Sequence, residues 1–167
     1  MPEATFHFPR GFLWGTATAA HQVEGNNTNN NWSEWEKSPG RIINDQKSGL
    51  ACDWWGGRWQ EDLVRALESG QNAHRLSVEW SRIQPEENRW DEDALQRYQE
   101  MVRWMVNHNM TPMVTLHHFS DPLWLSAIGA WENPETPALF ARFTRRVVAA
   151  LKDYVNLWVT INEPNVY

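Results

Sequence analysis

The chain has 167 residues, 41% of them hydrophobic and 22% charged, the composition of an ordinary globular domain and not of a disordered one. A net charge of −6 argues against nucleic acid or an anionic membrane surface as the main partner. No apolar run approaches the roughly 20 residues that span a bilayer. "MPEATFHFPRGF" lacks the basic start and apolar stretch of a secretory leader. The single cysteine, Cys52, permits no intrachain disulfide. These features predict a cytoplasmic location, and they leave the sequons at Asn26 and Asn31 without weight.

In chain order, "FLWGTATA" (Phe12–Ala19) reads as a first strand. The Asn-rich "GNNTNNNWSEWEKSPGR" reads as a long loop. "GRWQEDLVRALESG" carries Leu63, Val64 and Leu67 at helical spacing and stops at Gly70. "AHRLSVEW" (Ala73–Trp80) is a second strand. "DEDALQRYQEMVRWMVNHN" sets Leu95, Tyr98, Val102 and Met105 on one face, with Asp91 and Asp93 at the positive end of the helix dipole. "TPMVTLHHF" is a third strand. "NPETPALFARFTRRVVAALKDYVN" aligns Leu139, Phe143, Val147, Leu151 and Tyr154 on one stripe, and "LWVTI" (Leu157–Ile161) is the last strand.

This β-α-β-α-β-α-β order predicts an α/β fold with parallel strands and right-handed crossovers. Two architectures compete, an open doubly wound sheet and part of a (βα)8 TIM barrel. The chain has neither the G-x-G-x-x-G of a dinucleotide fold nor a P-loop. It does have polar clusters at every strand's C-terminal end: His21-Gln22-Val23-Glu24, Glu79-Trp80-Ser81-Arg82, His117-His118 and Asn162-Glu163. Strand ends that open onto one face are the active-site rim of a TIM barrel, and this pattern fits that rim best.

Glu163 follows the apolar run Leu157–Ile161 and precedes Pro164. One reading is a loop ion pair. The other is a general acid/base, because burial raises a Glu pKa and keeps the group protonated near neutrality, able to protonate a leaving oxygen. Asn162 offers two donors and an acceptor to a hydroxyl, and Pro164 stiffens the turn. The 12 Trp residues serve as core bulk or as rings that stack on the C–H faces of sugars; Trp80 reads as core, and Trp124 and Trp131 as flanking a cleft. Adjacent His on a strand diverge, so His117-His118 is a poor metal pair. No metal site and no cofactor is predicted.

"GTATAAHQVEG", "HRLSVEWSRIQP", "VTLHHFSDPLWL", "GAWENP" and "VTINEPNVY" occur here in the order found in glycoside hydrolase family 1, the β-glucosidases, β-galactosidases and phospho-β-glycosidases. The resemblance runs from about Phe8 to Tyr167. N-E-P alone also occurs in other barrel glycosidases; the five motifs in order are the specific signal.

The resemblance implies a (βα)8 barrel and a retaining double displacement on β-glycosides, with two carboxyls about 5–5.5 Å apart. Carried onto this chain, Glu163 resembles the acid/base and Asn162 the residue that binds the sugar 2-hydroxyl. Gln22 resembles the residue that grips the 3- and 4-hydroxyls, and His118 the histidine on the 3-hydroxyl. Arg75 resembles the arginine beside the nucleophile, where its charge keeps that carboxylate ionised. Plainer roles stand beside these: Arg75 pairing with Glu79 or Glu163, Gln22 and His118 as members of a rim network, Glu79 as a structural ion-pair member, and His117 as structural support. The Y-H-W-D-L-P pattern of many members reads His117-His118-Phe119-Ser120-Asp121-Pro122 here, and Asn165 stands where a bulky residue is frequent. Both differences bear on specificity.

The family's T-E-N-G-like nucleophile motif, near the seventh strand, is absent. Residues 1–167 are therefore expected to form the first four βα units, a half barrel with unclosed edges. The expected partners are a β-glycoside substrate and a complementary C-terminal half chain, without which the chain should be inactive. The alternatives are an inactive half barrel that binds sugar or self-associates, and a barrel glycosidase of another N-E-P family.

Overall fold

The computed structural model describes residues 6–166. Four strands, β1 (Gly15–Ala17), β2 (Ala73–Ser77), β3 (Thr111–His117) and β4 (Leu157–Ile161), form one sheet in the order β1-β2-β3-β4. Every neighbouring pair is parallel. Three long helices lie between them: α3 (Trp59–Glu68), α5 (Glu92–Asn107) and α7 (Thr136–Leu151). Four short helices follow strand ends or lie near them: α1 (Ala20–Val23), α2 (Asn31–Trp35), α4 (Trp80–Ile83) and α6 (Leu123–Ala127). Consecutive parallel order with no reversal is not the order of a doubly wound sheet. It is the order of successive units of a barrel.

Local chemistry explains the helix limits. Asp91 caps α5, its carboxylate accepting the Ala94 N–H at 2.9 Å. The expected stop of α3 holds: Gly70 takes φ +83° and returns its N–H to Leu67 O. Gly15 has a different duty, since a Cβ there would meet the Ala73 carbonyl oxygen at 2.5 Å, so β1 and β2 can approach only without a side chain.

The sheet has two faces. His74 bonds to the Thr16 and Thr18 hydroxyls and lies against the Trp54 ring, which in turn donates to Asp62 of α3. That face meets the helices. Leu76 and Val114 of the strands join Leu63, Tyr98, Met101, Val102, Met105, Phe143, Val147 and Leu151 of the helices in one core. Trp80 stacks on Phe143 with centroids 4.8 Å apart. The opposite face carries Arg75, which reaches Thr115 and Asn162.

The two outer strands are uncovered. All three residues of β1 are exposed, and no residue of β4 is fully buried. Phe8, Phe12 and Trp14 stack on one another beside β1, with centroids 4.5–4.9 Å apart and 42–59% of each residue exposed.

Several expected boundaries move. The strand expected over Phe12–Ala19 shortens to Gly15–Ala17, and the strand expected over Ala73–Trp80 ends at Ser77. The polar residues after β1 and β2 coil into the short helices α1 and α4 instead of continuing the strands. The Asn-rich loop contains α2, because Asn30 caps it by accepting the Ser33 N–H at 2.8 Å while Ser33 returns a bond to the cap.

Two predictions follow from the packing. Trp80→Ala should cost about 3–5 kcal/mol in urea unfolding, the usual range for emptying a buried aromatic site. Burial lowers the His74 pKa to about 4, so the unfolded chain binds the extra proton at a higher pH than the folded one. Stability should fall as pH drops from about 6.5 toward about 4, by roughly 3 kcal/mol at most from this group. His74→Gln should flatten that limb of the stability–pH curve.

Candidate active site

Arg75 organises the strand ends. Its Nε donates to Thr115 Oγ1 at 2.7 Å and its Nη2 to Asn162 Oδ1 at 2.6 Å. One guanidinium thus joins β2 to β3 and to the residue after β4. Asn162 is buried, and its backbone N–H donates to His117 O at 2.9 Å. Among the described residues Arg75 forms no ion pair, so its expected alternatives, pairing with Glu79 or Glu163, do not occur.

Glu163 is exposed and follows Asn162 with φ +45°, a left-handed backbone uncommon for a residue with a side chain. The turn is closed by the Val166 N–H on Glu163 O. Phe119, just after His118, is also left-handed, at φ +69°. Two strand ends therefore break sharply at the same rim, one beside His118 and one at Glu163.

His118 is half-buried. Burial first, then the Arg75 charge and His117, lower its pKa to about 4, so the imidazole is neutral at pH 7. Its Nδ1 is shielded from solvent and makes no protein hydrogen bond. His117 is buried away from it, donating from Nε2 to Asp121 Oδ1 at 3.0 Å and packing against Trp131 and Phe140. The two histidines diverge as expected, and the His117 ring packs toward the helix layer.

Gln22, on α1, is exposed at the same rim but makes no hydrogen bond to Arg75, His118 or Asn162. The structure thus ties Arg75 to Asn162, with His118 in Arg75's field and Glu163 next in the chain, and leaves Gln22 apart. Glu79 is corrected: it is fully buried, but its partners are the Ser81 and Ser120 hydroxyls at 2.7 and 2.6 Å rather than a cation. A hydroxyl two residues away in sequence satisfied what a charge was expected to satisfy.

The tryptophans divide differently from expectation. Trp124 donates to Gln84 O and sits edge-on to Trp80. Trp131 donates to Asp121 Oδ1. Both are partly buried and pack against the core. The aromatic cleft is built instead by Trp32 and Trp35 of α2 with Phe119, Asn31 and Val166, around a volume of about 540 Å³. Trp32 donates from Nε1 to Phe119 O at 2.9 Å, and the two indoles meet edge to face at 5.6 Å. His21 connects this wall to the rim by bonding Glu36 at 2.8 Å and Asn30 at 3.2 Å. Burial acts to raise the Glu36 pKa, but the bonds from His21 and Ser48 outweigh it and hold it below the usual carboxylate value. The signal for this wall was present in the sequence: two Trp at i, i+3 directly after a capping Asn.

The rim therefore offers an exposed carboxyl on a rigid turn, a bonded Asn–Arg pair, a neutral imidazole and an indole-lined cleft. That set can hydrogen-bond hydroxyls against apolar ring faces. Glu24 and Glu79, which lie behind this rim, are both buried and hydrogen-bonded.

Comparison with known proteins places this geometry. The chain is 34% identical over 163 residues to the 1,4-beta-D-glucan glucohydrolase of Thermotoga neapolitana, covering 94% of this chain and 38% of that one. It is 35% identical to Beta-glucosidase A of Thermotoga maritima, covering 94% and 36%. Among solved structures, the family 1 β-glucosidase of Thermotoga maritima superposes with a TM-score of 0.91 at 35% identity, over 95% of this chain and 37% of that one. The β-glycosidase BGL167 superposes at 0.88 with 46% identity, over 95% and 37%. These neighbours are TIM barrels, of which the four parallel strands here are half. The chain spans less than two-fifths of the length of the relatives it matches. The profile of Glycosyl hydrolase family 1 matches residues 4–167, and the chain belongs to that family.

Proposed function

We propose that residues 1–167 supply the acid/base half of a retaining β-glycosidase that cleaves β-linked glycosides from the non-reducing end. The observation that carries this reading is the Arg75–Asn162 bond at the strand-end rim, with Glu163 next in the chain on a left-handed turn. Glu163 protonates the leaving oxygen and then, as a base, activates the water that hydrolyses the glycosyl-enzyme. Asn162, its Oδ1 held by Arg75, is left with its amide N–H groups to donate to the sugar 2-hydroxyl. Neutral His118 and exposed Gln22 serve the remaining hydroxyls. Trp32, Trp35 and Phe119 form an apolar wall for the leaving group.

The nucleophile comes from elsewhere. Arg75 holds a fixed positive charge on the inner face, where an incoming carboxylate would be kept ionised. The complementary part, whether a partner chain or a continuation of this one, supplies that carboxylate and the strands that pair along β1 and β4. The β-glucosidase of Thermotoga maritima, solved in complex with castanospermine and with deoxynojirimycin, supports a ligand site in the complete barrel. The reading of an independent sugar-binding or self-associating half has no observation in its favour beyond the uncovered edges.

Hydrolysis of an aryl β-glucoside tests this. The purified chain alone should show no turnover above buffer. Mixed with a chain bearing the remaining strands and a T-E-N-G-like motif, it should turn over with retention, and Glu163→Ala should lower that rate by roughly 10²–10⁴-fold. Appreciable activity of the isolated chain, abolished by Glu163→Ala, would contradict the assignment of the nucleophile to the complementary part.

A further inference from the structure

A second polar cluster lies behind the rim and touches none of the residues assigned to the sugar. Glu24, the residue after α1, is 3% exposed. Its Oε2 accepts from Arg82 Nε at 2.6 Å and its Oε1 from the Tyr98 hydroxyl at 2.5 Å. Arg82 also donates to the Gly25 carbonyl and lies over the Trp55 ring, 4.1 Å from its centroid. The Tyr98 hydroxyl in turn accepts the Glu79 N–H at 2.9 Å. The Glu79 carboxylate then holds Ser81 and Ser120.

The connectivity is informative. Glu24 lies two residues from Gln22, and Ser120 two residues from His118. Tyr98 projects from the middle of α5, the rigid helix between β2 and β3. One continuous chain of bonds therefore links the segment after β1, the segment after β2 and the segment after β3. The end of β4 is fixed separately, through Arg75 and Asn162.

The charges in this cluster do not cancel. Two buried carboxyls, Glu24 and Glu79, lie in a cluster with one arginine; of the two, Arg82 bonds only Glu24, and the Glu79 carboxyl has hydroxyl partners. A buried uncompensated charge is costly. The groups that face Glu24 are Arg82 and Glu79 from the segment after β2 and Tyr98 from α5. On its own segment, His21 is turned to Glu36 instead. Burial is the largest influence on Glu24 and, with Glu79 adding to it against Arg82 and Tyr98, raises its pKa to about 7.

We propose that Glu24 is a positioning residue whose protonation state is relayed through Tyr98 and Glu79 to Ser120, so that one buried carboxyl sets the placement of Gln22 and His118 together. This rests on the reading of Gln22 and His118 as sugar ligands. With Glu24 protonated the cluster holds one carboxylate against one guanidinium. With Glu24 ionised it holds two carboxylates against one guanidinium, and the bonds of Tyr98 and Glu79 readjust around the added charge.

The test is an NMR pH titration of the isotopically labelled full chain. The Glu24 carboxyl carbon should titrate near pH 7, and the amides of Glu79, Ser120 and His118 should shift with the same midpoint. Glu24→Gln keeps the size of the side chain and one acceptor oxygen, removes the titrating carboxyl, and should remove the full amplitude of that step at Ser120 and His118. Tyr98→Phe deletes a hydroxyl that favours the carboxylate and should move the Glu24 midpoint upward. A Glu24 step without an echo at Ser120, an echo that survives Glu24→Gln, or an unmoved midpoint in Tyr98→Phe would each overturn the proposal. The readout needs neither sugar nor turnover, so it fails separately from the glycosidase reading, whose test is hydrolysis.

Discussion

The guanidinium of Arg75 is the interaction on which the rim depends. A parallel sheet brings its strand ends to one side but does not fix how the residues beyond them turn. Arg75 fixes them by reaching sideways from β2 to Thr115 on β3 and on to Asn162 after β4. With Asn162 held by its side chain and by its N–H on His117 O, the next residue has little freedom. Glu163 accepts a left-handed backbone there. The cost of that conformation, of order 1–3 kcal/mol, is sustained by the bonds on either side of it.

The same arrangement explains what is stable and what is open. Helices α3, α5 and α7 cover one face of the sheet with a dense apolar and aromatic core. Among the described residues, the face carrying Arg75 and the outer strands β1 and β4 meet no further layer. The stacked Phe8, Phe12 and Trp14 continue that uncovered side. In the barrels it resembles, this chain spans 37% of the length, and the remaining strands supply the missing neighbours of both edges.

Much of this was legible in the sequence. The three long helices were written in apolar periodicity, and the four strands in short apolar runs bounded by polar clusters. The strand-end positions of His118, Asn162 and Glu163 followed from those runs, whereas Arg75, inside β2, was singled out only by the family resemblance. Other features were hidden for physical reasons. The short helices after β1, β2 and β3 have too few residues to show a period, and they are held by tertiary bonds such as Ala20 N–H on Ser77 Oγ. Asn-rich sequence read as loop because its capping role depends on Ser33 folding back. Glu79 was read as an ion-pair member because its hydroxyl partner Ser120 lies 41 residues away. The division of the tryptophans between core and cleft required knowing which face each helix presents.

The most direct test of the central claim is a double-mutant cycle on Arg75→Ala and Asn162→Ala, read by urea unfolding of the full chain. If the guanidinium fixes the end of β4, the two substitutions should couple by about 1.5–3 kcal/mol, the range for a hydrogen bond to a charged group. Losses that add to within about 0.5 kcal/mol would mean that Asn162 and Glu163 are placed by something other than Arg75, and would contradict the account.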